Sequence, residues 1–159
     1  MGQVSMIGLD TAKRVFQVHG VDRAERSVWC ERLQLRGIGP LIASALVAMI
    51  GDARQFKNGR QVAVALGLTP RQHSSGSKER ILGISKRGDS YVRTLLIHGA
   101  RSALRTAAGK NDRLSRWALA LAQRSHANVA ATALANKMAR VAWAMLKHGT
   151  VYEPNGLVA

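Results

Sequence analysis

The sequence predicts a mainly α protein: a β-hairpin at the start, followed by helices packed through small side chains. Two observations carry this. The hydrophobic fraction is 47% with only 4% aromatic, so the apolar content is largely Ala, Leu and Val, which favours closely packed helices. From Asp89 to Ala107 an apolar face recurs at helical spacing through Val92, Leu95, Leu96, Gly99, Ala103 and Leu104, with Arg93, Arg101 and Arg105 elsewhere on the helix. At 159 residues the chain can bury a core and suits one principal domain.

In order along the chain, residues 3–9 (QVSMIGL) and 14–21 (RVFQVHGV) are β-branched and apolar. The polar turn from Asp10 to Lys13 joins them into a short hairpin. A lone hairpin is marginal in water, so it must pack on another element, pair with another chain or edge a larger sheet. Residues 22–36 (DRAERSVWCERLQLR) become charged and are expected to be helical, with a boundary between 22 and 32. Gly37-Ile38-Gly39-Pro40 then leads into a helix over 41–50, since Pro40 suits a first helical turn. Together these make a helix, tight glycine turn, helix unit. Gly51 and Asp52 stop it, and Asn58 caps a helix over 59–66. Residues 67–88 read as a polar loop with a short strand near 80–82, too long for an idle connector. Two further helices follow, 114–123 and 128–147, with Gly149 as the stop and 150–159 as a tail.

Charge sets the function class. Twenty-four Lys and Arg against 9 Asp and Glu give a formal net charge of +15, a field that attracts polyanions, and a nucleic acid is the leading partner. The spread of Arg through loops and several helices argues against a basic amphipathic helix lying on a membrane. No run approaches transmembrane length, and the start lacks the apolar core of a signal peptide. Cys30 is the single cysteine, so no disulfide framework or cysteine metal cluster is available, and a cytoplasmic location is expected.

The densest signal is GISKRGDSYVR, residues 83–93. Arg71, Lys78, Arg80, Lys86, Arg87 and Arg93 surround a Ser- and Gly-rich loop, where guanidinium forks, ammonium charges and free N–H groups can meet phosphate together. At Gly37 and Gly39 the turn either brings backbone close to a phosphate or forms a tight αα-corner with a packing role. Ser74, Ser75 and Ser77 are either turn formers or a nucleophile, which would need a base or a positive cluster; His73 and Lys78 are candidates by proximity. Asp10, at the end of an apolar strand, either holds a divalent metal or forms the turn. One carboxylate cannot make a two-metal site. His19, His98, His126 and His148 lack ligand spacing, so no zinc site is assigned.

Taken together, IGLDTAKRVFQVHGVD at 7–22, GIGPLIASALVAMIGDARQFKNGRQ at 37–61, LGLTPRQHSSGSK at 66–78, GISKRGDSYVRTLLIHGARSAL at 83–104 and NVAATALANKMARVAWAMLKHG at 128–149 resemble the insertion-sequence transposases of the one-ten and eleven-eleven families. The resemblance implies an N-terminal RuvC-like nuclease domain with a DEDD acid set and Mg2+, and a C-terminal transposase domain with a nucleophilic serine. It also implies a covalent phosphoserine intermediate, strand exchange on DNA guided by a structured RNA, and oligomerisation. Carried over by motif, Asp10 matches the first acid, and so the metal position, while Ser75 matches the nucleophile with Ser74 as fallback. On this reading residues 1–26 are a remnant of the nuclease domain, 27–149 are the C-terminal transposase domain containing a helix-hairpin-helix element, and 150–159 are the tail. The other three acids and the helical connector have no counterpart. An internally truncated, autonomously inactive form is therefore expected, binding no metal stably and acting as a homo-oligomer or with a full-length transposase. Leu35-Arg36 and Glu79 also depart from the family pattern.

Overall fold

The computed structural model describes residues 6–12, 15–21, 27–32, 35–75 and 78–154. Strands β1 (Met6–Ala12), β2 (Val15–Val21) and β3 (Ser27–Arg32) form an antiparallel sheet in the order β1-β2-β3. The expected hairpin is there, with Leu9 opposite Val18, but its turn is not at Asp10: Asp10, Thr11 and Ala12 pair as strand with Gln17, Phe16 and Val15. The helix expected over 22–36 is not. Residues 27–32 pair with β2 instead, Gln17 opposite Arg32 and His19 opposite Cys30, while 22–26 and 33–34 lie outside the described residues. Val28, Trp29 and Cys30 suit a strand better than the flanking charges suggest. Pairing them with β2 supplies the third strand that a marginal hairpin lacks.

Helix α1 (Pro40–Ile50) begins with Pro at its first turn and buries Ala43, Leu46, Val47 and Ile50, one stripe at helical spacing. A short 3-10 turn over Ala53–Gln55 leads to α2 (Gly59–Ala65), whose cap Asn58 accepts the Gln61 N–H as expected. The loop expected over 67–88 is largely a hairpin: β4 (Pro70–Ser75) pairs antiparallel with β5 (Lys78–Ile84). Its polar, Ser-rich sequence hides the alternation that marks a strand. Helices α3 (Ser90–Arg105), α4 (Arg113–Arg124) and α5 (Ala127–His148) complete the fold, with Gly149 left-handed at the final cap.

The core forms around α5, which buries Ala130, Ala131, Leu134, Ala135, Met138, Ala139, Ala142 and Met145. It packs on α2, α3 and α4, and its alanines let those helices come close. Leu46, Ile50, Leu66, Leu96, Leu134 and Met138 are fully buried. Arg36 closes one end, its guanidinium 3.0 Å from the Asp112 carboxylate at the start of α4. Burial pushes the Asp112 carboxyl up, but bonds from the Ser115 N–H and hydroxyl and the Arg36 charge outweigh it and hold it below the usual carboxylate range. No helix among the described residues is long and apolar enough to cross a membrane.

Candidate nucleic-acid interface

The strap between β5 and α3 is fixed backbone to backbone. Its Ser85 N–H donates to the Thr69 carbonyl at 2.8 Å, Lys86 N–H to Gly67 at 3.1 Å, and Asp89 N–H to Ala65 at 3.3 Å. Asp89 thereby satisfies the Ala65 carbonyl at the C-terminal end of α2, of the kind a helix leaves without partners, while Ser85 and Lys86 bond to the segment that follows that helix. Gly88 makes this approach feasible: its φ is +101°, and a Cβ there would run into the Ala65 carbonyl oxygen. Asp89 then caps α3 by accepting the Val92 N–H at 3.0 Å.

This geometry separates the cations of the motif. Arg93 is half-buried and donates from Nη1 to the Leu66 carbonyl at 3.0 Å, so one arm of its guanidinium holds the strap to α2. Lys86 and Arg87 are exposed. Lys86 is also the one non-glycine residue with positive φ (56°) among the described residues, a conformation costing a side-chain-bearing residue about 1–2 kcal/mol. Arg71 on β4 and Arg80 on β5 are exposed as well. The hairpin register sets Ser75 opposite Lys78, Ser74 opposite Glu79 and His73 opposite Arg80. Ser75 thus stands at the last paired position before the tip, with a lysine across from it; Gly76 and Ser77 lie outside the described residues.

At the other predicted site, Gly37 has φ +82°, and a Cβ there would lie 2.6 Å from the Gly99 carbonyl oxygen. Its glycine identity follows from the close crossing of this turn on α3. Gly39, by contrast, has nothing within 4 Å of a Cβ position and caps α1 without a side-chain hydrogen bond. Asp10 lies on β1, in a row of the sheet with Gln17 and Arg32, and no group of three or more His, Cys, Asp or Glu able to hold a metal occurs among the described residues.

A cationic cluster went unnoticed in the sequence. Arg60, Arg113, Lys137 and Arg140 line one groove, although they come from three helices and are separated by up to 80 positions. The pair Lys137 and Arg140, three apart on one helix, was the available signal.

The model of the family described as Transposase IS116/IS110/IS902 matches residues 32–116. The chain belongs to this transposase family. A probable family 20 transposase of Pseudomonas aeruginosa is 59% identical over 122 residues, covering 77% of this chain and 36% of that relative. The transposase for insertion sequence element IS1111A of Coxiella burnetii is 50% identical over 124 residues, covering 77% and 34%. That for element IS1328 of Yersinia enterocolitica is 42% identical over 120 residues, covering 76% and 36%. The chain spans about a third of the length of these family members. The matched region includes the glycine turn, the β4–β5 hairpin, the strap and α3.

Proposed function

We propose that this chain is the serine-bearing, nucleic-acid-binding part of an insertion-sequence transposase, engaging DNA through the β4–β5 hairpin and the strap that follows it. The observation that carries this reading is the pairing of Ser75 with Lys78 at the hairpin tip, on a hairpin continuous with a fixed strap that exposes Lys86 and Arg87. Arg71, Arg80, Lys86 and Arg87 contact phosphates, Arg93 holds the strap in place, and Gly39, open at its Cβ position, lets the turn before α1 come near the backbone of the nucleic acid while Gly37 packs that turn on α3. In the reaction the Ser75 oxygen attacks a backbone phosphorus. A bond from serine oxygen to phosphorus forms, the serine proton passes to a base, and the bond from phosphorus to a sugar oxygen breaks as that oxygen takes up a proton and leaves as a sugar hydroxyl. Lys78 and the hairpin arginines offset the charge that builds on the phosphoryl oxygens.

The acids are the missing part. Mg2+ at a two-metal centre needs several carboxylates, whereas the row of Asp10 contains Gln17 and Arg32. A row with one carboxylate does not fit the metal, and on this reading the remaining acids come from an intact transposase in a mixed oligomer, with a structured guide RNA as a further partner. The lone Asp10 favours an internally shortened chain that binds DNA and reacts only by complementation.

Titrating labelled DNA at rising salt tests the binding half. Affinity should fall steeply with salt, and salt-independent binding would overturn it. For the chemistry, the chain is mixed with a full-length relative whose own serine is changed to Ala. A covalent protein–DNA adduct should form and should vanish with Ser75→Ala; an adduct that persists with both Ser75→Ala and Ser74→Ala refutes the assignment.

A further inference from the structure

A groove of 1560 Å³ runs along α5, bounded by α2, α4 and the root of the β4–β5 hairpin. Arg60, Arg113, Lys137 and Arg140 line it, and Glu153 is the one carboxylate among its lining residues. No ion pair to any of the four cations occurs among the described residues. Each wall is fixed to its neighbour. Gly59 lets α2 cross α5 so closely that a Cβ there would lie 3.1 Å from that of Arg140. The Asn136 side chain donates to the Leu68 carbonyl at 3.1 Å, tying the root of the hairpin to α5, and the Trp143 ring N–H donates to the Ala53 carbonyl at 3.0 Å.

The charges are therefore held together by the fold. The Lys137 ammonium lies 4.1 Å from the centroid of the Trp117 ring, on an apolar wall. Burial first, and then the nearby Arg113 and Arg140 charges, pull its pKa below the ordinary lysine range. Like charges assembled this way without a counterion raise the energy of the empty groove, and an anion entering it relieves that repulsion. Four cations lining one groove match a ligand with repeated charges, and the adjoining Trp117, Val141 and Trp143 offer apolar surface for sugars and bases.

We propose that this groove seats the phosphodiester backbone of a nucleic-acid strand running to the root of the hairpin, a contact surface separate from the strap. The inference rests on the nucleic-acid-binding function proposed above. It extends the bound path from the Ser75 hairpin onto α2, α4 and α5, through residues that share no sequence motif.

Fluorescence anisotropy on the full chain tests it, using a labelled DNA duplex, a DNA single strand and an RNA hairpin across a salt series. The variants are Lys137→Gln with Arg140→Gln, and Lys86→Gln with Arg87→Gln. Losing two phosphate contacts should lower the slope of log affinity against log salt by about 1.4–1.8, and the groove pair should add to the strap pair. The polymer showing the larger slope change is the source of the phosphates. Where thermal melting shows that the first pair has unfolded, Arg60→Gln with Arg113→Gln, both exposed, carries the same expectation. Wild-type binding that is weakened by the strap pair but keeps its full slope in both groove pairs overturns this inference and leaves the proposed function standing, with an acidic protein segment the remaining occupant. Absence of wild-type binding to all three probes overturns both.

Discussion

Replacing Gly88 with Ala drives a methyl group into the Ala65 carbonyl oxygen at a position whose φ is +101°. The residue itself is exposed, so a rule based on burial alone would expect an effect within about 0.5 kcal/mol. Strap geometry predicts far more. Holding an alanine at this φ costs about 1–2 kcal/mol. Moving the strap away to relieve the clash weakens the Asp89 to Ala65 and Lys86 to Gly67 backbone bonds and the Arg93 to Leu66 bond, each worth about 1 kcal/mol. The total is about 3–5 kcal/mol, and with a urea dependence of about 2 kcal/mol per molar the unfolding midpoint should fall by about 2 M. Gly83→Ala is the control, since nothing lies within 4 Å of its Cβ position and its φ is not positive; its midpoint should stay close to wild type. Urea unfolding followed by far-UV circular dichroism reads both. A Gly88→Ala midpoint matching that of Gly83→Ala would show that the strap does not bear on α2 as described.

Lys86→Gly should raise stability by up to about 1 kcal/mol by relieving the positive φ, while weakening DNA binding in the same preparation; loss of both would mean that the side chain is a packing residue. Arg93→Met should destabilise by about 1 kcal/mol through the lost bond to Leu66, whereas Arg87→Ala should leave the melting temperature unchanged and lower affinity. Asp112→Asn should cost about 2 kcal/mol near neutral pH, because it leaves the partly exposed Arg36 without its charge partner. The folded carboxyl titrates below its unfolded value, so its contribution is present above about pH 4 and is lost as pH falls through the folded pKa. The gap between wild type and Asp112→Asn in urea unfolding should therefore narrow in strong acid, and a gap independent of pH would rule out the pairing. Trp143→Phe should cost about 1 kcal/mol in thermal unfolding by removing the ring N–H bond to the Ala53 carbonyl, which then keeps only the 3.4 Å bond from the Phe56 N–H.

Helices were legible where local chemistry sufficed. Pro40, Asn58, Asp89 and Gly149 punctuate the chain as the sequence suggested, because a cap bonds within three or four residues of itself. Strands were harder. Residues 27–32 carry charges that read as helical, and 70–84 are polar enough to read as loop, yet both are strands. A strand's hydrogen bonds go to a partner that its own sequence does not name.

By itself the sequence determined the basic character, the order of the five helices from Pro40 onward, and the motif residues from Gly37 to Arg93 that place the chain among transposases. Those properties are local or additive: charge sums along a chain, and caps act on neighbours. Only the tertiary structure decided what each cation does. It ties Arg93 into the fold while leaving Lys86 and Arg87 exposed, and it makes Gly37 the contact point with Gly99. It also gathers Arg60, Arg113, Lys137 and Arg140 into one groove. Whether a charge is bound or free depends on which carbonyls and charges lie within a few ångströms, and helix packing sets those distances.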